Sequence, residues 1–248
     1  MTSLSPQLRR GIGVLFWLTA IVTSGLIFST YLQSVLRALQ RSGKLYEGYH
    51  NELIRKALSS DVLSAFLPAL AAIPLSAGYL EDIKSKASRF FLIRGSYPGY
   101  LLGYYIACWL CGGGAVLLGT LGAWGFTTIV FTPLEQVLKN PPELGTQIAG
   151  QLTLLFLCGG LWAVIGMTMS TIMESKYIAY ASPFIVYYLL VILYERYFPN
   201  AWLLYPKNWL NPEIWPYGIG SAALFLLELT FLCGLVFYVR GKRRLEQL

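Results

Sequence analysis

Six long apolar stretches divide this chain, at residues 11–33, 61–80, 98–124, 150–173, 177–197 and 218–239. A helix needs roughly 20 mostly apolar residues to cross the hydrocarbon of a bilayer. None of the six contains Lys or Arg apart from Arg196, near the end of the fifth. Backbone in lipid must satisfy its own hydrogen bonds, so such stretches span as helices. The expected fold class is an all-α integral membrane protein with six transmembrane helices, forming one membrane domain over residues 1–248.

Of the 248 residues, 12% are charged, against roughly 25% in soluble domains. Six helices and their connections use nearly the whole length, which leaves no room for a separate soluble catalytic domain. The first apolar run follows Arg9 and Arg10. It exceeds the 7–15-residue core typical of a signal peptide, so it is read as a membrane helix. The four cysteines all fall inside proposed spans, and no extracellular disulfide framework is expected. Cys108 and Cys111 form a C-x-x-C without a nearby His, so buried packing is expected and no metal site.

The formal charge of +7 is placed for a membrane and not for nucleic acid. With both termini on one side, that side holds Arg9, Arg10, Lys84, Lys86, Arg89, Arg94, Lys176, Arg240, Lys242, Arg243 and Arg244, against four acids. The Lys/Arg bias orients a membrane protein with its basic side in the cytoplasm. A multi-pass cell-membrane protein with cytoplasmic termini is expected.

Within the spans, Pro68 and Pro74 lie in the second and remove backbone bonds there, giving either a gating bend or a static kink. The third span carries a ladder of small residues, Ala107, Cys111, Ala115, Gly119 and Ala123, four apart and so on one helix face. It predicts close helix contact. The fifth span holds an aromatic stripe including Tyr180 and Tyr187, which suits packing more than a ligand site. Glu228 is the one acid in the middle of a span. A central charge costs about 2.5–3.5 kcal/mol on insertion scales. It either serves substrate passage and opening, or is protonated and bonded to a neighbouring helix.

Between the spans, residues 34–60 read as a surface helix or as an extension of the first span. His50, in this polar segment, is expected at the surface. Residues 198–217 mix Trp and Tyr with four prolines, which predicts short broken helices dipping into the outer leaflet. Residues 79–94 place two acids before several cations, an order that suits a helix dipole. This amphipathic segment is fitted to lie on lipid or to dock into a partner's groove.

The layout, with the local pattern YLEDIKS…R…IRGSYPGYLLGYY, resembles the permease subunit of bacterial ABC transporters of the type-2 exporter class, in particular small Gram-positive members. The resemblance covers nearly the whole chain as topology. It implies a cytoplasmic coupling helix between spans two and three and re-entrant outer helices between spans five and six. On this resemblance Glu81, Asp82, Ile83, Lys84, Lys86, Arg89 and Phe90 would receive motion from an ATPase. The two acids would face basic groups on that partner. Pro68, Pro74, Tyr180, Tyr187 and Glu228 would serve the substrate path or its gating. A second permease copy is implied, with the small-residue ladder as one possible packing face.

The ATPase must be a separate subunit that binds ATP and Mg, because this chain has no G-x-x-x-x-G-K-[ST] loop. No catalytic residues and no cofactor are expected here. A membrane-embedded enzyme would need a nucleophile and base or a metal set, and those parts are missing. The alternative function is a non-transporting membrane partner: a sensor, an assembly factor or a peptide-immunity protein. The apolar, aromatic spans suggest a hydrophobic peptide or lipid as substrate.

Overall fold

The computed structural model describes residues 4–42, 45–46, 48–88, 96–136 and 145–246. They are almost entirely helical. A short helix α1 (Leu4–Gly11) leads into α2 (Val14–Ser42). Then follow α3 (Tyr49–Leu58), α4 (Asp61–Ala72), α5 (Gly78–Lys84), α6 (Tyr97–Phe131), α7 (Gly145–Met173), α8 (Lys176–Ile192) and α9 (Ile219–Leu245). One pair of two-residue parallel strands, β1 (Leu45–Tyr46) and β2 (Glu135–Gln136), joins the two connections at one end. Among the described residues five helices are long and apolar enough to cross a bilayer.

The sequence reading expects a sixth span at 61–80, and here the structure differs. That stretch is two helices, α4 and α5, separated by a turn at 73–77. Twelve residues of α4 rise only about 18 Å, short of the hydrocarbon thickness. Pro74 lacks an N–H and its ring blocks the preceding turn, so the helix breaks there and does not merely bend. Pro68 stays inside α4 and is buried. The turn is tied to the neighbouring helix α7 by side-chain bonds in both directions. Ser76 Oγ donates to Ala163 O at 2.9 Å, and Ser170 Oγ donates to Ser76 O at 3.4 Å. Together α4 and α5 still run alongside α7. Asp61 pairs with Lys207 at one end, and Lys84 reaches Glu174 O at the other.

Residues 34–60 combine the two expected forms. The first span continues as helix to Ser42, and α3 follows separately. Leu53, Ile54, Ala57 and Leu58 of α3 are buried against the bundle, not laid on its surface. Residues 198–217 form three short 3-10 turns, Trp202–Leu204, Pro206–Leu210 and Pro212–Ile214. Proline opens the second and third, where a missing N–H does no harm. Trp209 stacks on Trp162 of α7 at 5.6 Å, and its indole N–H donates to Leu203 O at 2.9 Å. Trp215 Nε1 donates to Asn208 O at 3.0 Å. The segment thus plugs that end of the bundle with aromatic rings whose polar tips bond its own backbone.

Helix contact in lipid relies on small residues that let backbones approach. At Gly113 of α6 a Cβ would overlap the Phe156 carbonyl of α7, and at Gly159 it would lie 3.2 Å from Gly113 Cα. The small-residue ladder occupies the neighbouring face of α6. All five of its members are buried. Gly119 presses on Ala20 and Thr23 of α2, and Cys111 on Gly11 of α1. The ladder is therefore used within the chain and is not a free face for a second copy.

Gly113→Val is expected to destabilise the protein by about 3 kcal/mol or more, since carbonyl backbone cannot rotate away from an added side chain. Gly122→Ala, where a Cβ meets only Ser24 Oγ at 3.9 Å, should be neutral or stabilising by up to about 1 kcal/mol. Thermal unfolding in detergent checks both.

Candidate functional site: the charged elbow at α5

Charged residues separate to the two ends of the bundle. One end gathers α1, α5, the α7–α8 turn and the last turns of α9, where Arg240, Lys242, Arg243 and Arg244 cluster. The other end carries α3, β2 and the 3-10 turns, with His50, Arg55, Lys207, Asp61, Glu135 and Glu213 in ion pairs. The termini, the α5 elbow and the α7–α8 turn thus share one end.

At that end the short helix α5 is a junction. Its Asp82 is buried, with a side chain 8% exposed. The carboxylate accepts from Arg10 Nη1 of α1, from the Tyr104 hydroxyl of α6, and from the Tyr100 hydroxyl at 3.1 Å. A second arm of Arg10 pairs with Glu81 at 2.8 Å. Burial alone would lower the Arg10 guanidinium; Tyr104, Asp82 and Glu81 outweigh it and hold the group above its ordinary value. Tyr79, also on α5, donates to Gly241 O of α9 at 2.9 Å, and its ring packs edge-on to Phe237 at 5.0 Å. Lys84 Nζ donates to Glu174 O at 2.8 Å, and Arg244 of α9 pairs with the Glu174 carboxylate at 2.6 Å. Four separate parts of the chain therefore meet at seven residues.

Of the expected helix over 81–94, the described part runs to Lys84, and Lys86 takes a positive φ of 60°, a usual way to stop a helix. Ser88 is helical again, and residues 89–94, Arg89 and Phe90 among them, lie outside the described residues. Ile83 is half-buried in the tyrosine cluster. Asp82 does not face outward toward a partner's basic groups: its need for donors is met by Arg10 and two tyrosines within the chain. Glu81 is half-exposed beside Arg10, and Lys86 stands exposed at the turn.

Beside the helix break lies a crevice of about 260 Å³ bordered by Arg10, Val14, Pro74, Leu75, Glu81 and Tyr180. Of the residues expected to act in gating, Pro74 and Tyr180 come together here. Pro68 and Tyr187 do not. Tyr187 is buried edge-on to Trp162 at 6.1 Å. Glu228 points outward from α9 among Leu224, Leu227 and Phe231. Among the described residues Glu228 has no hydrogen-bond or ion-pair partner, so the expected bond to a neighbouring helix is not formed.

His50 also departs from its expected surface position. It sits in the first turn of α3 with a side chain 16% exposed, and its Nδ1 lies 2.8 Å from Glu135 Oε1. Glu135 additionally accepts from the backbone N–H groups of Gly48 and His50, at 3.0 and 2.9 Å. It caps the α3 N-terminus from 85 residues away. Burial pushes the Glu135 carboxyl up, but these hydrogen bonds and the His50 charge prevail and hold it below its ordinary value.

The tyrosines at 100 and 104 had a readable signal, since a spacing of four puts both on one face. Arg10 and Glu135 had none, because their partners are distant in sequence. Comparison with known proteins gives no match to any family model or curated sequence.

Asp82→Asn should destabilise the protein by about 2 kcal/mol, less than the loss from a fully buried pair because Arg10 is 43% exposed. Glu81→Gln, at an exposed pair, should change stability by under about 1 kcal/mol. The Glu135 cap predicts a pH effect with a definite sign. Its folded pKa is depressed, so its stabilisation is present above the ordinary carboxylate range and is lost as pH falls through the folded value. Melting temperature should fall with acidification more steeply in the wild type than in Glu135→Gln.

Proposed function

We propose that this chain is the membrane-spanning subunit of an ATP-driven exporter, coupled through the α5 elbow to a separate ATPase subunit. The observation that carries the reading is the junction at α5. A push on α5 reaches α1 through Arg10, α6 through Tyr100 and Tyr104, the α7–α8 turn through Lys84, and α9 through Tyr79. The same push meets the core across the turn at 73–77. A short helix joined to α4 by a turn suits a coupling element, since hinges absorb their backbone change in a few terminal residues.

On this reading Lys84 and Lys86 present the ATPase-facing surface at the cytoplasmic end, with Glu81 at its edge. Asp82 positions α5 and does not itself touch the ATPase. The basic cluster at the same end agrees with a cytoplasmic orientation. Two permease copies form the complex, and they meet through the apolar outward faces of the long helices because the small-residue ladder is already used. Glu228 on α9 is then covered by the second copy or faces the route between copies. Transport is outward and the substrate hydrophobic, a peptide or a lipid.

The test is purification of the tagged chain from its native membrane, followed by identification of companions and assay of ATP hydrolysis. An ATP-hydrolysing protein is expected to co-purify. Lys86→Glu should lower its stimulated hydrolysis at least about fivefold, the loss of one or two surface charge contacts, with melting temperature unchanged. The absence of any ATPase, or full stimulation in Lys86→Glu together with Lys84→Glu, contradicts the proposal.

A further inference from the structure

Glu228 lies about 14 Å from the start of α9 and about 18 Å short of Arg240 along the helix, which puts it near the middle of the hydrocarbon. Its side chain is exposed and has no hydrogen-bond or ion-pair partner among the described residues. An acid turned to lipid is costly, and such residues ordinarily face a protein neighbour or a wet cavity.

The surroundings of Glu228 describe the neighbour that fits. Leu224, Glu228, Phe231 and Leu235 are all exposed and stand four, three and four residues apart. That spacing makes one seam along a helix for packing against another, and a single polar residue in such a seam fixes the register of the pair. Beside the seam an apolar groove of about 90 Å³ between α6 and α9, bordered by Leu102, Tyr105, Phe231 and Leu235, offers room for a side chain of the neighbour. The span of α8 is as little covered by the rest of the chain as that of α9, each being 22% buried. Its exposed side is apolar at Ile185, Leu189 and Ile192, and lipid tails serve it. Among the described residues, α9 is the long helix whose exposed side carries a carboxyl in its middle.

The neighbour must bring a polar group to the same depth. A second copy does so by symmetry. Two copies inserted in the same direction, related by a two-fold axis along the membrane normal, place each seam residue of α9 opposite itself. No Lys or Arg lies in the middle of any apolar stretch of this chain, so the mate of Glu228 in a second copy is the same carboxyl. We infer that two copies of the chain pack α9 against α9 through Leu224, Phe231 and Leu235, with the O–H of one Glu228 carboxyl donating to the other. The inference rests on the two-copy part of the proposed function and is independent of its ATPase.

The test of contact uses the full chain carrying Cys233→Ser, which removes the native cysteine of α9. Leu224→Cys, Phe231→Cys and Leu235→Cys are introduced singly, and native membranes are oxidised with copper phenanthroline. Each should give an adduct of twice the mass of the chain, whereas Ile185→Cys and Leu189→Cys on α8 should give none. Association strength is read by counting bleaching steps of the labelled chain in liposomes at falling protein-to-lipid ratio. Glu228→Leu should weaken dimerisation about fivefold, the weight of one interhelical hydrogen bond in lipid. Glu228→Gln keeps a donor and an acceptor and should restore most of it. Neither change should lower the melting temperature, because the side chain faces outward. A wild type that stays monomeric at every ratio, or a dimer unaltered by Glu228→Leu, overturns the inference. So do adducts from α8 with none from α9, or α9 adducts with a different protein in place of the doubled chain. An α9 dimer found without any co-purifying ATPase upholds the inference while the coupling reading falls, and a monomer that still brings down an ATPase does the reverse.

Discussion

A buried carboxylate organises one whole end of this molecule. Asp82 is enclosed on α5, and an enclosed charge is tolerable only with donors arranged around it. Arg10, Tyr100 and Tyr104 supply them from two other helices. Meeting that requirement fixes where α1 and α6 stand relative to α5. The interlocked rings of Tyr79, Tyr100, Tyr104 and Phe237 then fill the space behind the carboxylate. Because each donor serves a shared acceptor, the network acts as a unit and removing one member disturbs the rest.

The middle of the bundle follows a different rule. Lipid gives apolar helices little reason to associate, so contact comes from shape. Gly112, Gly113 and Gly159 bring α6 and α7 almost backbone to backbone, while Gly119 seats α2 on the next face of α6. The α4–α5 break lies between these regimes. Below it the charged end is cross-bonded; above it α4 packs into the glycine-rich core. The turn itself keeps backbone bonds, Ser76 N–H to Ala72 O and Gly78 N–H to Leu75 O, and is tied to α7 by hydroxyl-to-carbonyl bonds from Ser76 and Ser170.

Much of this architecture was legible because it depends on local pattern. Uninterrupted apolar runs marked the long helices, and the four-residue repeat from Ala107 to Ala123 marked a contact face. The prolines between 198 and 217 foretold short turns. Pattern could not distinguish a Pro74 kink from a full break, since that depends on whether neighbours can satisfy the freed backbone. Nor did the ladder announce its partner, α2 of the same chain. The acids at 81 and 82 looked equivalent in sequence, yet Glu81 is half-exposed and Asp82 buried. Their difference is made by Arg10, 72 residues earlier, and Tyr104, 22 residues later. Likewise the clasp of His50 and Glu135 exists only once α3 folds back on the end of α6.

The central claim is that force enters the membrane helices at the α5 elbow. The most direct measurement places a photo-reactive amino acid at Lys86 in the full chain and irradiates native membranes, with the same probe at Lys207 as the opposite-end control. The account predicts a cross-link from position 86 to an ATP-binding protein, and none to that protein from position 207. Cross-linking of position 86 to lipid alone, or capture of the ATP-binding protein only from position 207, would contradict it.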